Sequence, residues 1–330
     1  DATRAERASV ARAARENAPR ERQFVAVLPP NLRHLAIVVR LLTTESERAH
    51  GVREWYPAAS LMTIGAVRPF DVLQVDGATR RPATDRVAAE VALEVRLNGE
   101  SFAVVMRTPG DDEALAAGFL FSEGVVTRRE DIVSIAVDAA ADVADVTLSP
   151  DRATDVPRLL AERRQVATSS SCGMCGRRSL DLIGVDVPSL VPAWQVDPAV
   201  ISSLPDALRA AQRVFDETGG IHAAGLFTCA GALEAAAEDV GRHNAVDKLV
   251  GRALLDGRLP LSNALLCVSG RTSFEIVQKA LMAGIGLVAA VSAPSSLAVE
   301  LARDSGLTLL GFVRGGRFNV YAHAERIGVR

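Results

Sequence analysis

The sequence predicts an α/β fold, with an α/β domain over residues 195–330 behind a smaller α+β domain over residues 66–165. The composition is the first reason: 48% of the 330 residues are hydrophobic and 23% are charged, close to the globular average. The second is the last third of the chain, where short apolar runs alternate with helical patterns, as in parallel βαβ units. The third is a hairpin pattern with separate helices in the earlier part.

Residues 1–65 differ in composition from the rest of the chain. Residues 1–61 contain ten Arg and seven Asp or Glu, and the chain begins at Asp1, whereas Met62 opens a segment of ordinary composition. We interpret residues 1–65 as an extension that is disordered or not native. The alternative is a targeting peptide, and the glutamates argue against it.

A hairpin is the clearest element of the α+β part. Apolar residues alternate on both sides of Asn98-Gly99, and this dipeptide accepts the positive φ angles of a type I′ turn. Acidic residues at a helix start and glycine after its end predict a helix between Asp111 and Gly124. The other elements predicted here are strands near 132–137 and 143–148 and a helix over 155–164.

The α/β part begins with a helix at Asp197-Pro198, where Asp is the N-cap and Pro occupies the first turn. Apolar strands then alternate with helices, and such units place helices on both faces of a sheet. The predicted strands are 222–228, 232–236, 264–268, 286–291 and 307–313, and the predicted helices are 245–255, 272–283 and 295–304.

Charge and composition exclude several functions. A net charge of -3 and a pI near 6.0 argue against a nucleic-acid or membrane-surface binder. No run of about 18 apolar residues predicts a transmembrane helix. Lys248 and Lys279 are the only lysines among the 37 basic residues, which we interpret as the effect of a GC-rich genome rather than of chemistry.

The sharpest chemical feature is the pair Cys172 and Cys175, in a Ser- and Gly-rich segment that predicts a mobile loop over 166–194. A structural zinc site needs a second ligand pair, whereas Cys229 and Cys267 stand alone in strand-like runs, so no metal is expected. A thioredoxin-like pair would lie at the start of the helix of a βαβ unit, whereas this pair lies inside a Ser- and Gly-rich segment. Sparse cysteines predict a reducing cytoplasm and two buried thiols. An exposed thiolate pair suits a sulfur carrier, which must reach two partners in turn.

Three polar segments are candidates for an anion site. Arg242 and His243 precede a helix whose backbone N–H groups can bind phosphate. The alternative is that Asn244 only caps the helix while Asp247 and Lys248 are solvated. Arg271 lies in a turn after a strand, where ligands of α/β sheets bind. The third segment has arginines and glycines that suit phosphate or a plain hairpin turn: Phe312, Val313, Arg314, Gly315, Gly316 and Arg317.

His222 invites comparison with zinc deaminases, which pair a His-x-Glu with a later Pro-Cys-x-x-Cys. Here Ala224 stands where the glutamate is needed, and the cysteine pair precedes the histidine. We therefore reject deaminase chemistry.

Five motifs together resemble the FdhD/NarQ family, over about residues 66–325. In order they are Ser171–Gly176 (SCGMCG), Gly219–Gly225 (GGIHAAG), Glu238–Lys248 (EDVGRHNAVDK), Ser269–Ile276 (SGRTSFEI) and Gly311–Arg314 (GFVR).

The resemblance implies a sulfurtransferase required for formate dehydrogenase activity. Cys172 would take persulfide sulfur from a cysteine desulfurase, assisted by Cys175, and pass it to the molybdenum cofactor, a bis(molybdopterin guanine dinucleotide). Residues 312–317 would bind that cofactor, with Arg242, His243 and Arg271 as further candidates. The resemblance also implies a cytoplasmic homodimer whose C-terminal domain has three layers and is similar to cytidine deaminases.

A second hypothesis is a chaperone that escorts the molybdenum cofactor without covalent sulfur transfer. In that case the two cysteines are dispensable and residues 312–317 are not. A thioredoxin-like reductase is a third interpretation, which a reversible Cys172–Cys175 disulfide would support.

Overall fold

The computed structural model of the chain describes residues 65–163 and 194–328, and both ranges belong to one compact unit. The predicted extension up to residue 64 and the segment with Cys172 and Cys175 lie outside the described residues. Within these ranges the chain forms several sheets and helices, so the predicted α/β class is confirmed.

The described part opens with a two-stranded ribbon that the sequence patterns did not reveal. Strands β1 (Val67–Asp76) and β2 (Thr79–Ala88) pair antiparallel around a turn at Gly77, whose φ is 56°. Most side chains of both strands are exposed, so neither strand has the apolar alternation of a half-buried strand.

A four-stranded sheet follows, in the order β4-β3-β6-β5. Asn98 and Gly99 have φ angles of 50° and 86°, and the predicted hairpin is confirmed. The strands agree with the predicted positions: β3 (Val91–Leu97), β4 (Glu100–Arg107), β5 (Ile132–Asp138) and β6 (Val143–Leu148).

One helix of this part is buried on nearly all sides. Helix α1 (Asp112–Ser122) has acidic residues in its first turn, and Gly124 after its end has a φ of 73°, as predicted. Two short helices follow β6: α2 (Pro150–Ala153) and α3 (Val156–Arg163). The second of these confirms the helix predicted over 155–164.

The C-terminal part is built on a six-stranded sheet in the order β12-β11-β10-β9-β7-β8. The three central strands β9, β10 and β11 are parallel, and the other neighbouring pairs are antiparallel. The strands are β7 (His222–Thr228), β8 (Leu233–Asp239), β9 (Ala264–Val268), β10 (Leu287–Ala290), β11 (Thr308–Arg314) and β12 (Arg317–Ala322).

Helices cover both faces of this sheet, as predicted. On β9, Leu265 and Cys267 face a cluster with α4, while Leu266 and Val268 face a cluster with α6, α7 and α8. Asp197 caps α4, because its carboxylate accepts from Ala199 N at 2.8 Å. The helices are α4 (Pro198–Ala210), α5 (Arg213–Thr218), α6 (Arg242–Leu255), α7 (Phe274–Met282) and α8 (Ser296–Ser305).

Two glycines allow α1 and α6 to pack backbone against backbone. A Cβ at Gly118 would overlap the carbonyl oxygen of Asp247, and a Cβ at Gly251 would overlap that of Ala114. The same apolar cluster includes residues of the four-stranded sheet, of both helices and of the six-stranded sheet. The two sheets therefore share a core through this helix pair.

Every helix within 65–163 and 194–328 is too short or too polar to cross a bilayer.

Candidate functional site

Most of the predicted site residues meet at one edge of the six-stranded sheet. The parallel strands β9, β10 and β11 all end at this edge. Strand β7 is antiparallel to β9 and β8, so it begins there, and His222 pairs with Asp239 at the end of β8. Ligands of open α/β sheets bind beyond such carboxyl ends. We call this region the polar edge: His222, Asp239–His243, Ser269–Glu275, Ser292–Ser295 and Phe312–Arg314.

Backbone hydrogen bonds join the loops of the polar edge. Thr272 N donates to Ala293 O at 3.2 Å, and Ser295 N donates to Thr272 O at 2.9 Å. Phe312 N donates to Ser292 O at 3.2 Å. The turns after β9 and β10 and the end of β11 are thus held in one arrangement.

Helix α6 begins at Arg242, three residues before its predicted start, and this changes the roles of its first residues. Gly241 is the N-cap, so the alternative in which Asn244 caps the helix is wrong. Asn244 Nδ2 instead donates to Asp239 Oδ1 at 2.9 Å and to Met106 O at 2.7 Å. Arg242 and His243 consequently lie inside the first turn.

A buried ion pair fixes this turn. Lys248 Nζ lies 2.8 Å from Asp239 Oδ2, and the two side chains are 2% and 0% exposed. Asp239 also accepts from Gly241 N at 2.8 Å and from Thr108 N at 3.1 Å. Because Thr108 follows β4, the pair connects the four-stranded sheet to the polar edge. The alternative in which Lys248 is solvated is therefore wrong.

The second lysine has the same kind of partner. Lys279 Nζ lies 2.6 Å and 2.8 Å from the two carboxylate oxygens of Asp247, which also accepts from Ser122 Oγ at 2.7 Å. Asp247 is buried, so the alternative in which it is solvated is also wrong. Both lysines of the chain thus neutralise a buried carboxylate, a position that suits a compact ammonium better than the larger guanidinium of Arg.

The guanidinium of Arg242 has no hydrogen-bonding or ionic partner among the described residues, and its Nε is buried. It lies beside His222, because a Cβ at Gly270 would be 3.3 Å from the His222 ring and 3.6 Å from Arg242 Cδ. Burial, and then the charges of Arg242 and His243, lower the pKa of His222. The His222 imidazole therefore favours its neutral form, and Arg242 supplies the positive charge here.

His243 is paired with a carboxylate that the sequence analysis did not single out. Its Nε2 lies 2.8 Å from Glu275 Oε2 and 3.0 Å from Ser273 Oγ. The two side chains are almost completely buried. Glu275 places a carboxylate beside His243, and the role of His243 in binding the cofactor stays a prediction.

The segment 312–317 forms the end of β11 and a hairpin turn into β12. Arg314 pairs with Arg317 around Gly315 and Gly316, whose φ angles are 56° and 74°. Both arginines are exposed, as is Arg271 at the β9–α7 turn. Phe312 is also exposed, with a φ of 56°.

Val313 and the neighbouring Gly311 have structural roles in the same segment. The Val313 side chain is buried in the cluster that faces α4, so only its backbone can reach a ligand. A Cβ at Gly311 would lie 3.0 Å from both Pro294 Cδ and Tyr321 Cε2, so glycine keeps the strand close to the β10–α8 turn.

Two of the four cysteines lie within the described residues, and neither is a ready nucleophile. Burial raises the pKa of Cys267 on β9 to about 12. Cys229 follows β7 and is half-buried rather than fully buried as predicted, and burial raises its pKa as well. A thiol with a raised pKa is a thiol rather than a thiolate at neutral pH.

No group of three or more His, Cys, Asp or Glu is arranged to hold a metal ion within the two described ranges.

Three residues of the polar edge make contacts that sequence analysis did not reveal: Asp239, Thr272 and Glu275. One signal in the sequence indicates Asp239. In a chain whose other basic residues are all Arg, a lysine indicates a position that a guanidinium does not fit, and the buried ion pair of Lys248 with Asp239 is such a position.

Comparisons with known proteins agree on one family. A model described as the FdhD/NarQ family matches residues 88–328. The chain is 55% identical over 267 residues to the sulfur carrier protein FdhD of Streptomyces avermitilis, covering 77% of this chain and 93% of that protein. It is 48% identical over 272 residues to the sulfur carrier protein FdhD of Mycobacterium tuberculosis, covering 77% and 95%.

A solved structure is also similar. It is described as a formate dehydrogenase accessory protein from Desulfotalea psychrophila, with a TM-score of 0.65 and 27% sequence identity. The match covers 79% of this chain and 99% of that chain.

Proposed function

The chain belongs to the FdhD/NarQ family, and from this premise we propose that it is a sulfur carrier that serves formate dehydrogenase. Cys172 accepts sulfur from the persulfide of a cysteine desulfurase and delivers it to the molybdenum cofactor before that cofactor enters formate dehydrogenase. The observation that carries the proposal is that relatives with half their residues in common are sulfur carrier proteins.

The chemistry of the cysteines supports the choice of Cys172 and Cys175. Burial raises the pKa of Cys229 and of Cys267, so neither thiol in the described ranges suits nucleophilic attack. The remaining pair has the C-x-x-C spacing in which one thiol can assist the other.

Sulfur loading is an exchange without net oxidation. The Cys172 thiolate attacks the outer sulfur of the donor's persulfide, the donor's S–S bond breaks as a new S–S bond forms, and the donor cysteine leaves as a thiolate. Cys175 assists as the neighbouring thiol. The sulfur held on Cys172 is then available to the molybdenum cofactor, which is the substrate of the second transfer.

The polar edge is the candidate surface for that cofactor, a bis(molybdopterin guanine dinucleotide). Arg242 has no protein partner among the described residues, and Arg271, Arg314 and Arg317 are exposed nearby on the loops and the hairpin that follow the parallel strands. Arginine presents several N–H donors to phosphate. Four arginines of this kind suit the pyrophosphates of a dinucleotide.

Three further parts of the proposal come from the family resemblance alone. They are a homodimer, a location in the cytoplasm, and a likeness of the C-terminal sheet and helices to cytidine deaminases. All three stay predictions.

The experiment that tests sulfur transfer is intact-mass analysis after incubation with a cysteine desulfurase and cysteine. We expect wild type to gain one sulfur, about 32 Da, which reductant removes, and Cys172→Ala to gain none. Cys229→Ser is the matched control and loads like wild type, because burial raises the pKa of that thiol. Loading in Cys172→Ala would contradict the assignment.

The second candidate function, escort of the cofactor without covalent transfer, is favoured by one observation: the polar edge offers its arginines independently of the cysteines. No gain of sulfur in wild type beside an active desulfurase would support it. In that case the variant Arg314→Ala would lower formate dehydrogenase maturation and Cys172→Ala would not.

A further inference from the structure

The β1–β2 ribbon stands apart from both larger sheets. Neither of its strands pairs with another strand of residues 65–163 and 194–328, and most of their residues are exposed. The ribbon contacts helix α5, where Arg86 forms an ion pair with Glu217. A two-stranded ribbon is at best marginally stable in water unless another surface packs against it. The exposed part of the ribbon therefore favours a contact with a second molecule.

Exposed apolar side chains are concentrated on this ribbon. Eleven large hydrophobic residues are exposed within the described ranges, and four of them lie on these two strands: Phe70, Leu73, Val75 and Val87. The side chains of Leu73 and Val75 are 58% and 61% exposed. Single exposed apolar residues are common on protein surfaces, but a contiguous group of them indicates an interaction surface.

The pairing register places part of this apolar surface on one face. Residues directly opposite each other in an antiparallel pair share a face, and every second pair along the strands lies on that same face. One such series is exposed throughout, and we call it the ribbon face: Asp71 with Thr84, Leu73 with Pro82, and Val75 with Arg80. Its apolar residues are contiguous, and its two charged residues lie at opposite ends.

The outer edges of the ribbon are poor sites for adding a further strand. In an antiparallel pair the backbone groups of every second residue pair point outward, and proline, which has no N–H group, is tolerated only at such positions. Pro69 on β1 lies opposite Arg86, and Pro82 on β2 lies opposite Leu73. Each edge therefore lacks one outward donor, so we expect a partner to cover the face rather than to extend the sheet.

The charges of the ribbon face are complementary to those of a second ribbon face. Asp71 and Arg80 lie on different strands and on opposite sides of the pair formed by Leu73 and Pro82. A two-fold axis that lies between two stacked faces, at the level of this pair and nearly across the strands, therefore places Asp71 of each copy opposite Arg80 of the other. The apolar residues of the two copies then meet at the centre. Such a contact is isologous, so each ion pair forms twice.

We propose that the ribbon face binds a second copy of this chain, with Leu73 at the centre of the contact and Asp71 of each copy paired with Arg80 of the other. The inference rests on one part of the proposed function, the homodimer, and it assigns to that dimer a surface and a register. The contact supplies the packing that the isolated ribbon lacks. It lies on β1 and β2 and involves no residue of the polar edge.

The test is sedimentation equilibrium of the full chain, in wild type, in Asp71→Arg, in Arg80→Asp and in the variant that carries both changes. We expect wild type to form a dimer. Each single reversal creates two contacts between like charges, so it should raise the dissociation constant of the dimer by at least about tenfold. The double variant exchanges the two charges and restores their attraction, so its dissociation constant should lie within about threefold of that of wild type.

The matched control is Arg258→Asp, which reverses a charge in the partly exposed ion pair with Glu234, on neither strand of the ribbon, and should leave the dissociation constant unchanged. A dimer that survives both single reversals overturns the inference, because the copies then meet elsewhere, while the proposed homodimer stands. A double variant as weak as the single ones overturns the pairing of Asp71 with Arg80 and with it the inference. A monomeric wild type overturns the inference and the homodimer together, whereas sulfur loading on Cys172 is measured separately.

Discussion

Lys248 and Asp239 carry opposite charges in a place that water does not reach, and together they hold the first turn of α6. Removing one partner of such a pair leaves a buried charge without compensation, which costs about 3–5 kcal/mol. We expect Lys248→Met to lower the free energy of unfolding by about that amount, measured by urea denaturation.

The matched control for Lys248→Met is Arg258→Met, which removes the cation of the ion pair with Glu234 at 2.8 Å, where both side chains are partly exposed. Exposed pairs contribute less than about 1 kcal/mol, so this variant should unfold almost like wild type. Equal losses in the two variants would show that burial of the Lys248 pair has no energetic consequence.

His222 gives the fold a dependence on pH. Burial and the nearby charges of Arg242 and His243 lower its pKa in the folded chain, and Asp239 opposes them only in part. The unfolded chain keeps the ordinary pKa of about 6.5 and therefore binds more protons as the pH falls through that value. The free energy of unfolding should therefore decrease as the pH falls below about 6.5.

We expect His222→Gln to lose part of this dependence. The fall in unfolding free energy between about pH 7.5 and about pH 5.5, measured by denaturant titration, should be smaller in the variant than in wild type. An identical fall in both proteins would mean that His222 has the same proton affinity folded and unfolded.

At the scale of single residues, the sequence could predict which segments matter but not which atoms pair. Arg242, His243, Arg271 and Phe312 lie at one edge as the order of strands implied. The partnership of His243 with Glu275 depends on how α6 lies beside α7, and a spacing of over thirty residues carries no local pattern that reveals it.

Among the elements, the contact between α1 and α6 is the one most sensitive to a single atom. Gly251→Ala places a methyl group onto the carbonyl oxygen of Ala114, so the helices must separate or shift. Overpacking of this kind costs about 1–3 kcal/mol or more, which exceeds the gain of about 1 kcal/mol in helix propensity. We expect a lower melting temperature, measured by circular dichroism.

Gly220→Ala serves as the control for Gly251→Ala. A Cβ there would meet only Thr218 O, at an ordinary distance of 3.7 Å. Its melting temperature should stay close to that of wild type. A similar decrease in both variants would show that the close crossing of α1 and α6 does not explain the effect.

The elements also show where periodicity is informative. The β3–β4 hairpin and the βαβ units were predictable from their apolar residues. Strand β3 buries one face, so its apolar residues alternate, whereas β9 buries both faces and is a continuous apolar run. The β1–β2 ribbon was not, because its strands are exposed on both faces and lack that alternation. Helix α6 starts three residues before its predicted position, because Arg, His and Asn resemble a loop in sequence, whereas in the structure the buried Asp239 just before them accepts from Gly241 N and Asn244 Nδ2.

At the scale of the whole molecule, a shared core links the four-stranded and the six-stranded sheets through α1 and α6. The division into domains at residue 165 stays a prediction. A core common to both sheets favours unfolding in a single step. With Trp55 replaced by Phe, we expect the fluorescence of Trp194 and the circular dichroism of the helices to change at the same denaturant concentration, with and without Lys248→Met. Two separate transitions would show that the sheets fold independently.

The ion pairs of both lysines have a practical consequence for how this protein can be studied. Reagents that acylate primary amines find no freely accessible ε-amino group on the folded chain, since Lys248 and Lys279 each lie against a carboxylate. Amine-directed cross-linkers would therefore leave the complexes that this chain forms with other proteins almost unmarked. Reagents directed at carboxylates or guanidinium groups would map those surfaces, and acylation of either lysine would report that the chain has opened.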